Sequence, residues 1–241
     1  MKYVGQELEI FKNAIKWRKY WSKIIESEIK GNVLEVGSGM GTVTDELKNS
    51  SFESWVSIEP DFSLLSTTNS TIRGIVELIN GTSSSIKGRE HFDTILYIDV
   101  LEHIENDMSE LQVINKTLKL GGSIIILSPA FNFLFNDFDK SVGHYRRYDK
   151  RSLTNLLPEG FAIKKIAYLD TLGFTLAILN KFIFKKSTPT NFQITFWDRF
   201  LIPISKLVDV LTLNLFGKSI IMIATKSEIS RSQASNAFAT N

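Results

Sequence analysis

The 241-residue chain has no cysteine, which excludes disulfides and thiolate-ligated metals. It has little charge imbalance: 28 Lys and Arg against 26 Asp and Glu leave a net charge of +2. It has no long basic run either, since the densest cluster (Arg146, Arg147, Lys150, Arg151) is interrupted by aromatic and acidic residues. No nucleic-acid partner is expected. No apolar h-region follows Lys2, Glu7 and Glu9, so no signal peptide is expected. The longest apolar stretch, 172–184, is interrupted by Asn180 and Lys181 and falls short of the ~20 residues that cross a bilayer. These absences predict a soluble cytoplasmic protein, monomer or homodimer, with peripheral membrane contact left open. A hydrophobic content of 43% and a charged content of 22% suit a globular domain with a full core.

The most informative stretch is 32–44, NVLEVGSGMGTVT. Val33, Leu34 and Val36 predict a short buried strand. Gly37, Gly39 and Gly41 follow at alternate positions, and 42–47 reads as the start of a helix. Glycines between a strand and a helix permit a sharp turn and close approach of the backbone to a ligand. The helix start behind them would present unpaired N–H groups. The pattern predicts a nucleotide-type cofactor loop. Its spacing is G-x-G-x-G, with Thr42 where the dinucleotide fingerprint wants a small residue. Glu35, in a strand otherwise read as buried, is costly unless it meets a cation or hydrogen-bond donors.

Further along, 55–58 predicts a second strand ending in Glu59-Pro60-Asp61. Glu59 falls 18 residues beyond Gly41, close to the separation at which a carboxylate accepts from ribose hydroxyls. A third strand is expected over 72–80, a fourth over 92–100, a helix over 107–118 stopped by Gly121-Gly122, and a fifth strand over 122–128. This alternation predicts a doubly wound α/β fold, a mostly parallel sheet with helices on both faces. Ligands in such sheets sit outside the carboxyl ends of the strands, where Gly37, Glu59, Thr82, Asp99 and Pro129 all fall.

The string E-x-G-x-G-x-G from Glu35, with FDTILYIDVLEHI and KLGGSIIILSPA, resembles the class I S-adenosylmethionine-dependent methyltransferases of small-molecule type over roughly 33–130. The resemblance implies a Rossmann-like sheet of seven strands, the last antiparallel between the fifth and sixth. It also implies S-adenosylmethionine as cofactor, S-adenosylhomocysteine as product, a small-molecule methyl acceptor, and no metal. Cofactor binding would fall to Glu35, Gly37, Ser38, Gly39, Gly41, Glu59, Pro60, Thr82, Ser83, Asp99 and Val100. Glu35 would help hold the ammonium end. Thr82 stands where many members carry an acid against the adenine amino group. An N-terminal helical cap over 1–30 carries more aromatics than one apolar stripe needs; it either packs against the domain edge or, as the resemblance implies, lies over the cofactor with Trp17 or Tyr20 near it.

Residues 131–148, FNFLFNDFDKSVGHYRRY, have no helical or strand period and predict a long loop at the ligand edge. The D-x-x-x-G-H-Y-R-R-Y string resembles a subgroup of the same family tied to surface-polysaccharide or secondary-metabolite pathways. His144 and Asp99 are the candidate catalytic residues, His144 because an imidazole can take a proton at neutral pH, Asp99 because it ends its strand where methyl group and acceptor should meet; Asp99 is alternatively a helix N-cap acid. His103, Tyr145, Arg146 and Arg147 are candidate acceptor-binding residues, the arginines for a carboxylate or phosphate; alternatively His103 has a structural, solvent-facing or capping role and the arginines pair with Asp137, Asp139 or Asp149. A sixth strand is expected over 161–169 and a last over 219–225, closing a domain over 31–226. Between them, 170–217 is an insertion with two apolar helical faces: Leu172, Leu176, Leu179, Phe182 and Ile183, then Trp197 to Leu211, with Pro203 breaking the second. Flanked by Lys181, Lys185, Lys186, Arg199 and Lys206, it would serve as core, as lid, or as a face for a membrane or a lipid-linked acceptor. A disordered tail is expected over 227–241. Two rival functions remain: a nicotinamide-dependent oxidoreductase, disfavoured by Thr42, and a non-catalytic cofactor-binding regulatory protein.

Overall fold

The computed structural model describes residues 7–86, 92–181 and 190–227. The strands are β1 (Asn32–Val36), β2 (Ser54–Glu59), β3 (Glu77–Asn80), β4 (Phe92–Ile98), β5 (Leu118–Pro129), β6 (Phe161–Leu169) and β7 (Ser219–Lys226). They form one seven-stranded sheet in the order β3-β2-β1-β4-β5-β7-β6. Strands β1 to β5 are parallel, and β7 lies antiparallel between β5 and β6. The chain winds outward from β1 to β3 and restarts at β4 beside β1, so the crevice of a doubly wound sheet opens at the carboxyl ends of β1 and β4.

The helices are α1 (Glu7–Phe11), α2 (Ile15–Ile25), α3 (Thr42–Leu47), α4 (Phe62–Thr67), α5 (Ser70–Arg73), α6 (Asp107–Asn115), α7 (Asp137–Ser141), α8 (Lys150–Leu156), α9 (Thr171–Leu179), α10 (Asn191–Phe196) and α11 (Ile202–Leu211). The sheet divides the core in two. Trp17, Trp21, Trp55, Leu96, Ile125, Trp197 and Ile221 fill one side, and Leu34, Ile58, Tyr97, Leu111, Ile126, Leu153 and Met222 the other. Central strands apolar on both faces are what a parallel sheet covered twice requires.

Four local expectations need correction. Residues 70–73 are helical, because Asn69 accepts from the Ile72 N–H as an N-cap, so β3 starts only at Glu77. The helix over 107–118 ends at Asn115, and β5 begins at Leu118. Gly121 (φ +76°) and Gly122 therefore serve an irregularity within β5, where the register with β4 jumps, and do not stop a helix. Residues 131–148 are not a plain loop. They contain a 3-10 turn at Asn132–Leu134 and helix α7, whose Asn136–Asp139 capping box satisfies both end groups. Pro203 does not break the second insertion helix. A π-turn, Trp197–Leu201, precedes it, and Pro203 occupies the first turn of α11. A proline at 203 leaves the Arg199 carbonyl without its α-helical donor, and Lys16 Nζ donates to that oxygen at 2.9 Å. Phe182, Ile183, Lys185, Lys186 and the tail from 228 lie outside the described residues, and Ser227 is still held by Gly160 at 2.7 Å.

The insertion grips the N-terminal helix. Helix α2 has no cap of its own at Ala14. Asp198 supplies one from the π-turn, accepting the Lys16 N–H at 3.1 Å and the Trp17 N–H at 2.8 Å. Asp209 on α11 accepts from Tyr20 Oη at 2.8 Å and from the Asp170 and Thr171 N–H groups, each at 2.8 Å. Replacing a capping carboxylate by alanine costs about 1–2 kcal/mol. Asp198→Ala should lower stability by that amount in urea unfolding, and Asp198→Asn should recover part of it; an unchanged midpoint for Asp198→Ala would refute the cap.

Candidate active site

The loop after β1 is built on glycine conformations: Gly37, Gly39 and Gly41 have φ of +69°, +54° and +82°, a region that penalises any Cβ. The Gly37 and Ser38 N–H groups donate to the Ile58 carbonyl at 2.8 and 3.1 Å, and Gly39 N–H donates to Glu59 Oε2 at 2.9 Å. Ser38 is buried, and its Oγ has no hydrogen-bond partner. Beneath the loop, Glu35 Oε2 accepts from Thr44, from Trp55 Nε1 at 3.0 Å and from Ser57 Oγ at 3.0 Å, while Oε1 has no partner. Burial outweighs those donors and pushes the carboxyl up to about 7. Glu35 thus ties β1 to β2 and α3 and is not among the cavity's lining residues, where the resemblance implies contact with an ammonium group.

At the end of β4, Asp99 takes φ +54°, a left-handed conformation that aspartate tolerates better than most residues. The residue is exposed and lines the cavity, and desolvation by the surrounding protein pushes the carboxyl up to about 7, opposed by the Lys218 charge. Glu102, in the turn that follows, is fully buried; Oε2 accepts from Ser128 Oγ at 2.9 Å and Oε1 is unpartnered. Burial, with the Asp99 charge adding to it, raises Glu102 well above the carboxylate range. Burial lowers His103 to about 4, with His144 adding to the effect.

Helix α7 and the turn after it deliver the remaining groups. Asp139 is wholly buried and is the hub. Oδ1 meets His144 Nδ1 at 2.8 Å, and Arg147 bonds both oxygens, Nε to Oδ1 and Nη2 to Oδ2, each at 2.9 Å. A carboxylate on Nδ1 selects the tautomer protonated there and leaves Nε2 able to accept. Arg147 Nη1 is buried without a partner. The His144 ring stands edge-on to His103 with centroids 4.5 Å apart. Glu102, His103 and His144 each bring a donor atom within 4.8 Å of the others, a spacing that could also hold a divalent ion.

One cavity of about 230 Å³ joins these parts: Gly37, Ser38, Gly39, Asp99, Glu102, His103, Asp139, His144, Arg147 and Lys218 line it. Trp17, Trp21, Phe138 and Trp197 cover it. Tyr20 does not reach it; its hydroxyl is engaged by Asp209. Several expected site residues stand elsewhere. Gly41, Glu59, Pro60, Thr82, Ser83 and Val100 are not in the lining. Glu59 has both oxygens taken by the Gly39 and Asp61 N–H groups, and Val100 presses on Gly37. Ser83 Oγ donates to Glu110 at 2.7 Å. Tyr145 is half exposed, and Arg146 pairs with Asp107 at 2.7 Å and with the Glu105 carbonyl; neither is in the cavity lining. The pairing of Arg147 with Asp139 is the alternative the sequence had left open. Asp139, Glu102 and Lys218 were missed as site residues. The signal for Lys218 was available: an antiparallel last strand must begin at the edge where its neighbours end.

A family model described as "Methyltransferase domain" matches residues 10–162. No curated protein sequence matches the chain. Among solved structures, a SAM-dependent methyltransferase from Archaeoglobus fulgidus is similar at TM-score 0.60 and 16% identity, covering 92% of this chain and 100% of that one. An S-adenosylmethionine-dependent methyltransferase from Clostridium acetobutylicum follows at 0.56 and 13%, covering 89% and 92%. The N-methyltransferase NodS from Bradyrhizobium japonicum, solved with S-adenosyl-l-homocysteine, gives 0.57 and 12%, covering 89% and 87%. The strand order, the antiparallel seventh strand and the family match together establish that this chain belongs to the methyltransferase-domain family and has the fold of the class I S-adenosylmethionine-dependent enzymes.

Proposed function

We propose that the protein transfers the methyl group of S-adenosylmethionine to a hydroxyl of a small-molecule acceptor, with His144 taking the acceptor's proton. The observation that carries this is one cavity lined both by the glycine loop and by a histidine whose Nδ1 is held by a buried carboxylate. The residues present fit the amino-acid end of the cofactor. Ser38 Oγ is a buried, unspent hydrogen-bonding group in the lining, and the loop backbone approaches without Cβ atoms. Gly37, Ser38, Gly39 and Asp99 would hold that end. Glu59 would accept from the ribose in addition to the backbone donors it already serves, since each carboxylate oxygen has two acceptor sites.

When bound, the cofactor supplies a methyl group on a positively charged sulfur that departs as a neutral thioether once an acceptor lone pair takes the methyl. The protein's own work is alignment, exclusion of water and custody of one proton. Trp17, Trp21, Phe138 and Trp197 wall the cavity and strengthen the electrostatics inside it. His144 Nε2 receives the acceptor proton, and Asp139 steadies the imidazolium that results while Arg147 fixes Asp139. No helix among the described residues is long and apolar enough to cross a membrane.

Calorimetry tests the reading directly. S-adenosylmethionine and S-adenosylhomocysteine should bind stoichiometrically, and NAD and NADP should give no heat above dilution. Binding of a nicotinamide nucleotide without S-adenosylhomocysteine would overturn it. A bound cofactor with no methyl transfer to any hydroxyl acceptor would overturn the hydroxyl assignment, and none to oxygen, nitrogen or carbon acceptors would indicate a regulatory protein.

A further inference from the structure

We infer that the acceptor is an amphiphile, its anionic head lodged between Arg147 and Lys218 and its apolar chain running into a second cavity between α9 and α10. This rests on the methyl-transfer reading for its biological meaning, though not for its test. The second cavity, about 400 Å³, is lined by Leu176, Ala177, Leu179, Phe192, Ile194 and Phe196 among others. It shares Phe11, Phe138, Arg147, Trp197 and Lys218 with the catalytic cavity. The two spaces therefore meet at a wall holding two cations, with proton-taking groups on one side and nearly continuous apolar surface on the other.

Both cations have capacity to spare. Arg147 spends Nε and Nη2 on Asp139, but Nη1 is buried with no hydrogen-bond partner. Lys218 Nζ makes no hydrogen bond or ion pair among the described residues; it stands 4.9 Å from the Trp197 ring centroid and 5.8 Å from that of Phe11. The unspent Arg147 Nη1 is unfavourable in a covered space, and the Lys218 ammonium feels the charges of Asp170, Asp139 and Asp99 without donating a hydrogen bond to any of them, so an anion bridging the two would satisfy donors that the protein leaves free. A carboxylate or phosphate has the required charge and acceptor geometry. The apolar chamber beyond can be matched only by an apolar chain, because few polar groups line it. Outside, Leu207, Val210, Leu211 and Leu213 are each more than two-thirds exposed, which suits a segment that receives such a chain from an apolar phase.

The test uses the full chain saturated with S-adenosylhomocysteine and titrated, below micellar concentrations, with dodecanoate, dodecyl phosphate, butyrate and dodecanol. Dodecanoate or dodecyl phosphate should bind at least thirtyfold more tightly than butyrate or dodecanol. Affinity should rise about two- to fourfold per methylene between octanoate and dodecanoate. Lys218→Met should weaken dodecanoate about tenfold or more. Leu176→Trp, a half-exposed position on α9, should do the same by filling the chamber while leaving S-adenosylhomocysteine affinity unchanged. Phosphatidylglycerol vesicles that compete with dodecanoate would identify a membrane lipid as the source; absence of competition would identify a free amphiphile. No dodecanoate or dodecyl phosphate binding, equal binding of butyrate, or dodecanoate affinity unmoved by both variants would overturn the inference. Failure of S-adenosylhomocysteine to bind in the first step would sink the methyl-transfer reading instead, leaving the chamber measurable on its own.

Discussion

Asp139→Ala is expected to destabilise the protein by about 3–5 kcal/mol and to remove most of its turnover. The substitution strips the two-pronged partner from Arg147, which is itself buried, and an uncompensated buried charge costs that much. In a chain of this length the loss corresponds to a fall in Tm on the order of 10 °C. Burial pushes the Asp139 carboxyl up, but the bonds from His144 and Arg147 outweigh it and hold the group below its ordinary value. The sign then follows. A depressed carboxylate contributes stability above its unfolded value, near 4, and the contribution is lost as the pH falls through the folded value. Wild-type protein should therefore lose stability on acidification below about pH 4, and Asp139→Ala should lose less. His144→Ala separates catalysis from folding. It should lower turnover about 10²–10⁴-fold with S-adenosylhomocysteine affinity within threefold of wild type, because positioning in the cavity survives. Wild-type turnover in His144→Ala would dismiss the assigned proton acceptor.

Gly37→Ala is expected to cost about 2–5 kcal/mol and to weaken S-adenosylhomocysteine at least tenfold. Its φ of +69° charges about 1–2 kcal/mol for any Cβ. That atom would also stand 2.6 Å from Val100 Cγ2, an overlap that adds about 1–3 kcal/mol. Gly39→Ala isolates the first part. It shares the left-handed backbone, but its nearest neighbour would be Leu8 Cδ1 at 3.8 Å, so about 1–2 kcal/mol is expected. Adding Val100→Ala to Gly37→Ala should recover the overlap and leave the backbone cost. Equal losses for the two single variants in urea unfolding would show that Val100 does not constrain the loop.

Much of this architecture was legible because apolar periodicity and glycine punctuation act locally. The strand at 161–169 and the helix at 42–47 appear where the sequence puts them, and β7 lies where the family resemblance placed it. What failed depended on partners distant in sequence. The Gly121-Gly122 pair looks like a helix stop until the register of β4 shows it absorbing extra residues. Glu35 reads as a ligand acid, yet Trp55 and Ser57 on the neighbouring strand claim its inner oxygen. The two arginines look equivalent in the string H-Y-R-R-Y. Alternate residues of an extended segment face opposite ways, so Arg146 meets Asp107 while Arg147 meets Asp139. Asp198 as the cap of a helix 181 residues away had no local signature at all.

That cap fixes where the protein's chromophores stand. Of the four tryptophans in the chain, Trp17 and Trp21 on α2 and Trp197 in the π-turn line the cavity, with the rings of Trp17 and Trp197 5.9 Å apart. Trp55 is buried on the sheet, donating to Glu35. Three of the four indoles thus line the cavity, and the fourth, Trp55, lies on the sheet away from it. A ligand entering the cavity, or α2 shifting against the insertion, should therefore change the tryptophan fluorescence of the unlabelled protein.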